Sequence, residues 1–370
     1  MAVYLDNAAT TQIRPEVVKT MLDSLAFFGN SEAKYYEVAE KSKELIKNAR
    51  SVISKCVGCD SDEVIFTSGA TESNNIILKG TAFSSRSKKT IIISDIEHSS
   101  VDAVANYLQS IGYKIIRIPV DRTGRINLKL LEESINSDTL LVSIIWVNNE
   151  IGTIQDMEAI DNICFSHGVD LHSDATQAIG KIEIDLRKFK SLKYLTFTAH
   201  KIYGPKGIGA AIIRKTKGCR TDLTSIIHGG EQENGYRAGT LSNELIAGFA
   251  KACELITSEM SEAHKKLLEL ENVLVEKLKL KFNERIIINN DFKNRVPGIV
   301  NCRFIGYDNM ILLKAISPFV AASTGSACGI SKPSRVLKAI GLSDKEISES
   351  IRFSLSQFQT IQDLSVIDEL

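Results

Sequence analysis

The sequence predicts an α/β protein: a large domain with a seven-stranded, mostly parallel sheet sandwiched by helices, plus a smaller C-terminal α/β domain. Three observations carry this. From residue 60 onward, short β-branched or aromatic runs alternate with segments whose apolar residues recur at helical spacing, the rhythm of a sheet covered on both faces. A chain of 370 residues is long for a single core. A long helical pattern over roughly 243–281 then interrupts the alternation, and a shorter alternation follows it.

Taken in order, the expected strands of the large sheet are 63–67, 90–94, 114–120, 140–147, 169–174, 194–198 and 209–214, with helical spacing in segments such as 100–111 and 159–166. Only a Gly/Pro turn joins the last two strands, too short for a crossover, so one antiparallel strand is expected. Beyond the long helix come strand 298–304, helices 309–316 and 334–340, and strand 350–355. The expected division is 15–256 for the large domain, with 1–14 and 257–370 forming the small one.

Composition narrows the function. Lys+Arg and Asp+Glu both number 45, so nothing suggests a nucleic-acid groove or an anionic membrane surface. No stretch approaches the length of a membrane span, and the first residues, Met-Ala-Val-Tyr-Leu-Asp, lack a charged and apolar leader pattern; a cytoplasmic protein is expected. The seven cysteines are odd in number and scattered, as reduced thiols would be. Cys56 and Cys59 form a single Cys-x-x-Cys with no second pair nearby, so no metal is expected.

Open α/β sheets place ligands at the carboxyl ends of their strands, and these positions hold a consistent set of groups. Ser68-Gly69-Ala70-Thr71-Glu72-Ser73 is a small-residue turn opening a helix, suited to a phosphate, though such residues also start helices with no ligand. His98 follows the next strand, where it either caps a helix or, at the rim of a cofactor site, stacks on a ring or moves protons as a catalytic residue. Asn148 and Asn149 supply amide donors after the apolar strand. Asp174 ends another strand; a carboxylate there can hold a pyridine nitrogen protonated, or merely cap a helix. Lys201, in Thr-Ala-His-Lys-Ile-Tyr-Gly-Pro-Lys-Gly over 198–207, is placed like a Schiff-base lysine on a rigid strand end. Taken alone it could be a surface lysine before a hairpin. Together with Asp174, the phosphate-type turn and the Thr198 hydroxyl, it completes the parts of a pyridoxal phosphate site.

With these residues goes a run of motifs in one order: Tyr4-Leu5-Asp6-Asn7-Ala8-Ala9-Thr10-Thr11, Asp174-Ala175-Thr176-Gln177, His200-Lys201, Gly229-Gly230-Glu231-Gln232-Glu233, Arg237-Ala238-Gly239-Thr240, Gly325-Ser326-Ala327-Cys328 and Ser350-Ile351-Arg352-Phe353-Ser354. The chain resembles, nearly end to end, the cysteine desulfurases of the NifS/IscS branch, within the class V, fold type I pyridoxal phosphate enzymes. The resemblance implies conversion of L-cysteine to L-alanine, with the sulfur passed to Cys328 as a persulfide. It implies that Lys201 binds pyridoxal 5'-phosphate covalently and serves as base at the substrate Cα. Asp174 would face the pyridine nitrogen, Gln177 the phenolic oxygen, and His98 would stack on the ring. Ala70, Thr71, Thr198 and His200 would hold the phosphate, Asn149 the cofactor or substrate, and Arg352 the substrate carboxylate. Thr240 would reach the phosphate of a partner subunit in a homodimer.

Two segments depart from the family pattern. Gly29-Asn30-Ser31-Glu32-Ala33-Lys34-Tyr35 lacks the proline, paired serines and histidine that relatives carry there, so those contacts are not carried over. The stretch from Cys328 to Pro333 is about two residues shorter than in housekeeping relatives, a character of some desulfurases dedicated to DNA phosphorothioation. The sulfur acceptor, whether for iron–sulfur cluster assembly, tRNA thiolation or DNA phosphorothioation, stays open. A selenocysteine lyase or class V aminotransferase is the nearest alternative reading, and an inactive sulfur-transfer scaffold the third. Cys328 argues against transamination, which needs no nucleophilic thiol, and the retained Lys201, Asp174, Gln177 and Arg352 argue against an inactive scaffold.

Overall fold

The computed structural model describes residues 2–33, 35–216, 218–325 and 333–369, so Cys328 lies outside the described residues. In chain order its strands are β1 (Val3–Tyr4), β2 (Val64–Thr67), β3 (Thr90–Ser94), β4 (Lys114–Ile118), β5 (Thr139–Ser143), β6 (Asp170–Asp174), β7 (Leu192–Thr198), β8 (Gly209–Ile213), β9 (Ile286–Ile288), β10 (Ile299–Phe304), β11 (Val320–Ala321) and β12 (Ser350–Ser354). The helices are α1 (Pro15–Ser24), α2 (Glu37–Val57), α3 (Ala70–Ser84), α4 (Ser99–Ser110), α5 (Leu128–Ser134), α6 (Met157–Ser166), α7 (Asn243–Phe282), α8 (Asn309–Ile316), α9 (Arg335–Ala339) and α10 (Asp344–Ser348).

The large sheet runs β2-β8-β7-β6-β5-β3-β4 and contains every strand expected for it. All neighbours are parallel except β8, which runs antiparallel to both β7 and β2, as the short turn before it requires. Both faces are covered. In β3, Ile92 enters the core shared with α2, α6 and α7, whereas Ile91 and Ile93 enter the core shared with α3 and α4. This two-sided burial explains why the strand is a continuous apolar run rather than an alternation.

The expected strand over 140–147 ends early, at Ser143. Val147 instead pairs with Ile154, and Asn148 N–H donates to the Thr153 carbonyl at 3.0 Å, closing a tight loop. That loop carries Asn149. The second, smaller sheet is antiparallel, ordered β12-β10-β9; β9 is additional to the expected strands, because three isoleucines in a row carry no periodicity. The short β1 pairs in parallel with β11, and Asp6 bridges Ser354.

Helix α7 has 40 residues, about 60 Å at 1.5 Å per residue. Ile246, Phe249 and Ile256 in its first half join the large core, while Leu267, Leu270, Leu274 and Leu278 pack in the core of the small sheet. None of the helices among the described residues is long and apolar enough to cross a membrane.

Candidate active site

At the carboxyl ends of the large sheet lies a cavity of about 800 Å³. Its wall includes Ala70, Thr71, His98, Asn149, Asp174, Gln177, Thr198, His200, Lys201 and Arg352. Of the expected site residues, Thr240 is exposed and does not line this cavity. Gly325 and Pro333, which flank residues 326–332, both line it.

Asp174 is the last residue of β6 and is 3 % exposed. One of its carboxylate oxygens accepts from Thr176 N–H at 3.0 Å, the other from Asn74 Nδ2 at 2.9 Å. Asn74, on α3, also donates to Ser100 Oγ at 2.8 Å and accepts from Thr196 Oγ1 at 2.6 Å. Ser100 in turn contacts His98 Nδ1 at 2.8 Å, and its N–H donates to the same nitrogen at 3.2 Å. An N–H donating to Nδ1 leaves the other ring nitrogen to carry the proton of a neutral imidazole. Burial also pushes His98 down from its ordinary value, partly opposed by Asp174. His98 thus caps α4 and lines the cavity at once.

Lys201 follows β7 in a short turn, Ala199–Lys201. Its Nζ donates to the carbonyls of Ala8 and Ala9, each at 2.6 Å. The N-terminal segment holds this turn closely: Thr11 Oγ1 donates to His200 O at 3.0 Å and accepts from Tyr203 N–H at 2.7 Å, and Thr10 Oγ1 lies 3.2 Å from His200 Nδ1. Burial, with Lys201 and Lys206 nearby, lowers His200 to about 4, so it is neutral at pH 7.

The turn at Gly69 shows how closely the backbone is packed here. A Cβ added at Gly209, the first residue of β8, would fall 2.7 Å from Gly69 Cα and 2.6 Å from Phe197 O. Helix α3 begins right after Gly69 with no side-chain cap among the described residues, and residues 68–72 line the cavity. Thr198 Oγ1 donates to Ile208 O at 3.0 Å, so serving a phosphate requires the hydroxyl to turn.

Arg352 is 1 % exposed and tightly held. Nη1 donates to Asn149 O at 2.8 Å and Gly325 O at 3.1 Å; Nη2 donates to Asp6 at 2.7 Å and Ser323 Oγ at 3.0 Å. Its Nε is buried and has no partner among the described residues.

The profile of class-V aminotransferases matches residues 3–367. The chain belongs to the class-V aminotransferase family. Within this class-V family, "Cysteine desulfurase IscS" of Buchnera aphidicola subsp. Acyrthosiphon pisum (strain 5A) is 41 % identical over 368 residues, covering 98 % of this chain and 90 % of the relative. A solved structure described as a NifS-like protein superposes with a TM-score of 0.92 at 34 % identity, covering 100 % of this chain and 98 % of that one. Another, described as SspA in complex with cysteine, gives 0.83 at 34 % identity, covering 96 % and 99 %.

The residues of this class-V site fit pyridoxal phosphate. The uncapped start of α3 suits a phosphate, and Asp174 faces the same cavity as Lys201. Thr176 Oγ1, also in the cavity wall, is buried with no partner among the described residues and offers one further polar group.

Two groups in or behind this wall carry no sequence signal of their own. Asn74 sits in the interior of a helix, with no turn or strand end to mark it. Glu97 stands beside the more conspicuous His98; it lines the cavity and is 2 % exposed, and one oxygen accepts from Ser94 Oγ at 2.5 Å and Ile145 N–H at 2.7 Å. Its other oxygen is buried with no partner among the described residues, and burial raises the group to about 8.

Proposed function

We propose that this protein is a pyridoxal phosphate-dependent cysteine desulfurase. It converts L-cysteine to L-alanine while Cys328, outside the described residues, accepts the substrate sulfur as a persulfide. The observation that carries this reading is the convergence of Lys201, Asp174 and the uncapped start of α3 on one cavity at successive strand ends.

Pyridoxal phosphate, when bound, supplies an electron sink that weakens the bonds around the substrate Cα. The chain's residues do the rest. Lys201 Nζ would hold the cofactor covalently and, once displaced, take the proton from Cα and return it to the substrate. Asp174, kept in place by Asn74 and the Thr176 N–H, would hold the pyridine nitrogen protonated. Ala70, Thr71, Thr198 and His200 would carry the phosphate, and His98 would cover the ring. Gln177 would donate to the phenolic oxygen, and Arg352 would fork onto the substrate carboxylate, with Asn149 beside it. The Cys328 thiolate attacks the substrate sulfur, the C–S bond breaks, and a proton completes alanine. Gly325 and Pro333 at the cavity wall support delivery of Cys328 from the segment between them.

The proposed organisation is a domain over 15–256 and a second made from 1–14 and 257–370, bridged by α7. A homodimer would let the exposed Thr240 serve the partner's phosphate. Borohydride reduction of the yellow protein should fix the cofactor to the peptide carrying Lys201. A colourless protein that takes up no pyridoxal phosphate would refute the reading.

A further inference from the structure

Bordering the main cavity at Ala8 and Lys201 lies a second, rear cavity of about 40 Å³. Lys181, Lys201, Asn7, Gly180, Tyr203 and His264 contribute to its wall. Gln177 lines the front cavity, Lys181 lines the rear one, and the two side chains are hydrogen-bonded, with Lys181 Nζ donating to Gln177 Oε1. Gln177 Nε2 donates to the Ala8 carbonyl at 2.9 Å, the same carbonyl that accepts from Lys201.

A glutamine amide can occupy its place in two ways, differing by exchange of oxygen and nitrogen. Here both neighbours choose the same one. In its ammonium form, below its titration near 7, Lys181 is only a donor and a carbonyl only an acceptor, so the exchanged amide would set donor against donor at Lys181 and acceptor against acceptor at Ala8. The orientation that results spends one N–H on Ala8 and leaves the second for the cavity that Gln177 lines. We propose that Lys181 is a positioning residue, whose ammonium holds the Gln177 amide with an N–H turned toward the cofactor ring. This rests on the reading of the front cavity as a pyridoxal phosphate site.

The backbone supports the arrangement. Gly180 has φ of +72°, and a Cβ there would strike Ile256 Cγ1 of α7 at 2.1 Å, so the turn from Gln177 to Lys181 is pressed against that helix. Lys181 as a residue is half-buried, and its charged end is enclosed by protein. Burial, with Lys201 and Arg352 as the nearby cations, lowers it to about 7. A lysine kept at that expense against a neutral amide has its geometric consequence at Gln177. The ammonium charge and an amide N–H aimed at the phenolic oxygen both oppose protonation of the linkage between Lys201 and the ring.

The test uses the loaded full-length protein and the pH titration of its visible absorption band. In Lys181→Met the midpoint should move upward by about one pH unit, a shift of the size one neighbouring group produces. The kcat should fall roughly tenfold with a smaller change in KM for L-cysteine, as expected when orientation rather than binding is lost. Lys181→Arg should restore most of both. On a Gln177→Ala background, Lys181→Met should add about twofold or less, because the group it orients is gone. An unmoved midpoint in Lys181→Met overturns the proposal, as does a full-sized shift on the Gln177→Ala background, which would make Lys181 a source of charge alone. Should Lys181→Met fail to fold by thermal melting, Lys181→Gln takes its place in both titrations, and an unmoved midpoint or a full-sized shift counts against the proposal in the same way. A wild-type protein with no visible band fails at the earlier step and removes the functional reading together with this proposal.

Discussion

Asn74 joins three elements through one amide: it donates to Asp174 and Ser100 and accepts from Thr196, at 2.6–2.9 Å and fully buried. Replacing it by Ala leaves those partners short of hydrogen bonds inside the protein, at about 1–3 kcal/mol for a buried unsatisfied group. Asn74→Ala should melt at lower temperature and release pyridoxal phosphate faster on dialysis, read from the decay of the visible band. Glu97 allows a prediction of pH dependence. Its folded value, about 8, lies above the ordinary 4.5, so the folded protein keeps a proton that the unfolded chain releases. Its contribution to stability is therefore complete below pH 4.5 and is lost as pH rises through 8. Glu97→Gln, which still offers an oxygen to Ser94 and Ile145, should show a flatter melting profile across that window than the wild type. Parallel profiles would show that Glu97 does not keep its proton.

The element that sets the turn at Gly69 is β8, the strand that runs antiparallel to both its neighbours in the large sheet. It follows β7 with no crossover and passes so close to Gly69 that a single Cβ at Gly209 meets backbone atoms on two sides. No flexible side chain can yield there, so the turn itself must shift. Gly209→Ala should cost about 1–3 kcal/mol by overpacking and weaken pyridoxal phosphate binding together with stability. Equilibrium titration with the cofactor measures the second effect; undiminished affinity would separate β8 from the phosphate turn. Helix α7 acts over a longer range. Leu267, Leu270, Leu274 and Leu278 recur on one stripe facing the small sheet, so the helix ties the two cores together. Leu274→Ala should cost about 2–5 kcal/mol, read from the denaturant midpoint.

At the scale of the whole molecule, the cavity draws its wall from segments far apart in the chain. Arg352 touches Asp6, 346 residues away, while also bonding Asn149, in the loop after β5, and Gly325, just before residues 326–332. Arg352→Ala should therefore raise the KM for L-cysteine and also lower the melting temperature, since Asp6 and two carbonyls lose their donor. A changed KM with unchanged melting would reduce Arg352 to substrate binding alone. Cys328→Ala should behave in the opposite way: full yellow colour and normal melting, with sulfide release from cysteine in the presence of a reductant abolished.

Much of this was legible in the chain because strand ends and turns have their own chemistry. The seven strands of the large sheet, the antiparallel β8, the long α7, and Lys201, Asp174, His98 and the turn at Gly69 all follow from local pattern, since a strand's period and a turn's residues are decided within a few positions. Asn74, Glu97 and Lys181 did not, because an amide inside a helix, a carboxyl beside a more conspicuous histidine, and a lysine after a glycine carry no local mark. Nor did the part played by the N-terminal segment, whose carbonyls at Ala8 and Ala9 receive Lys201 from 193 and 192 residues away. Such groups gain meaning only from what packing sets beside them: burial makes a donor or acceptor matter when its partner comes from elsewhere in the chain, and folding alone supplies that partner.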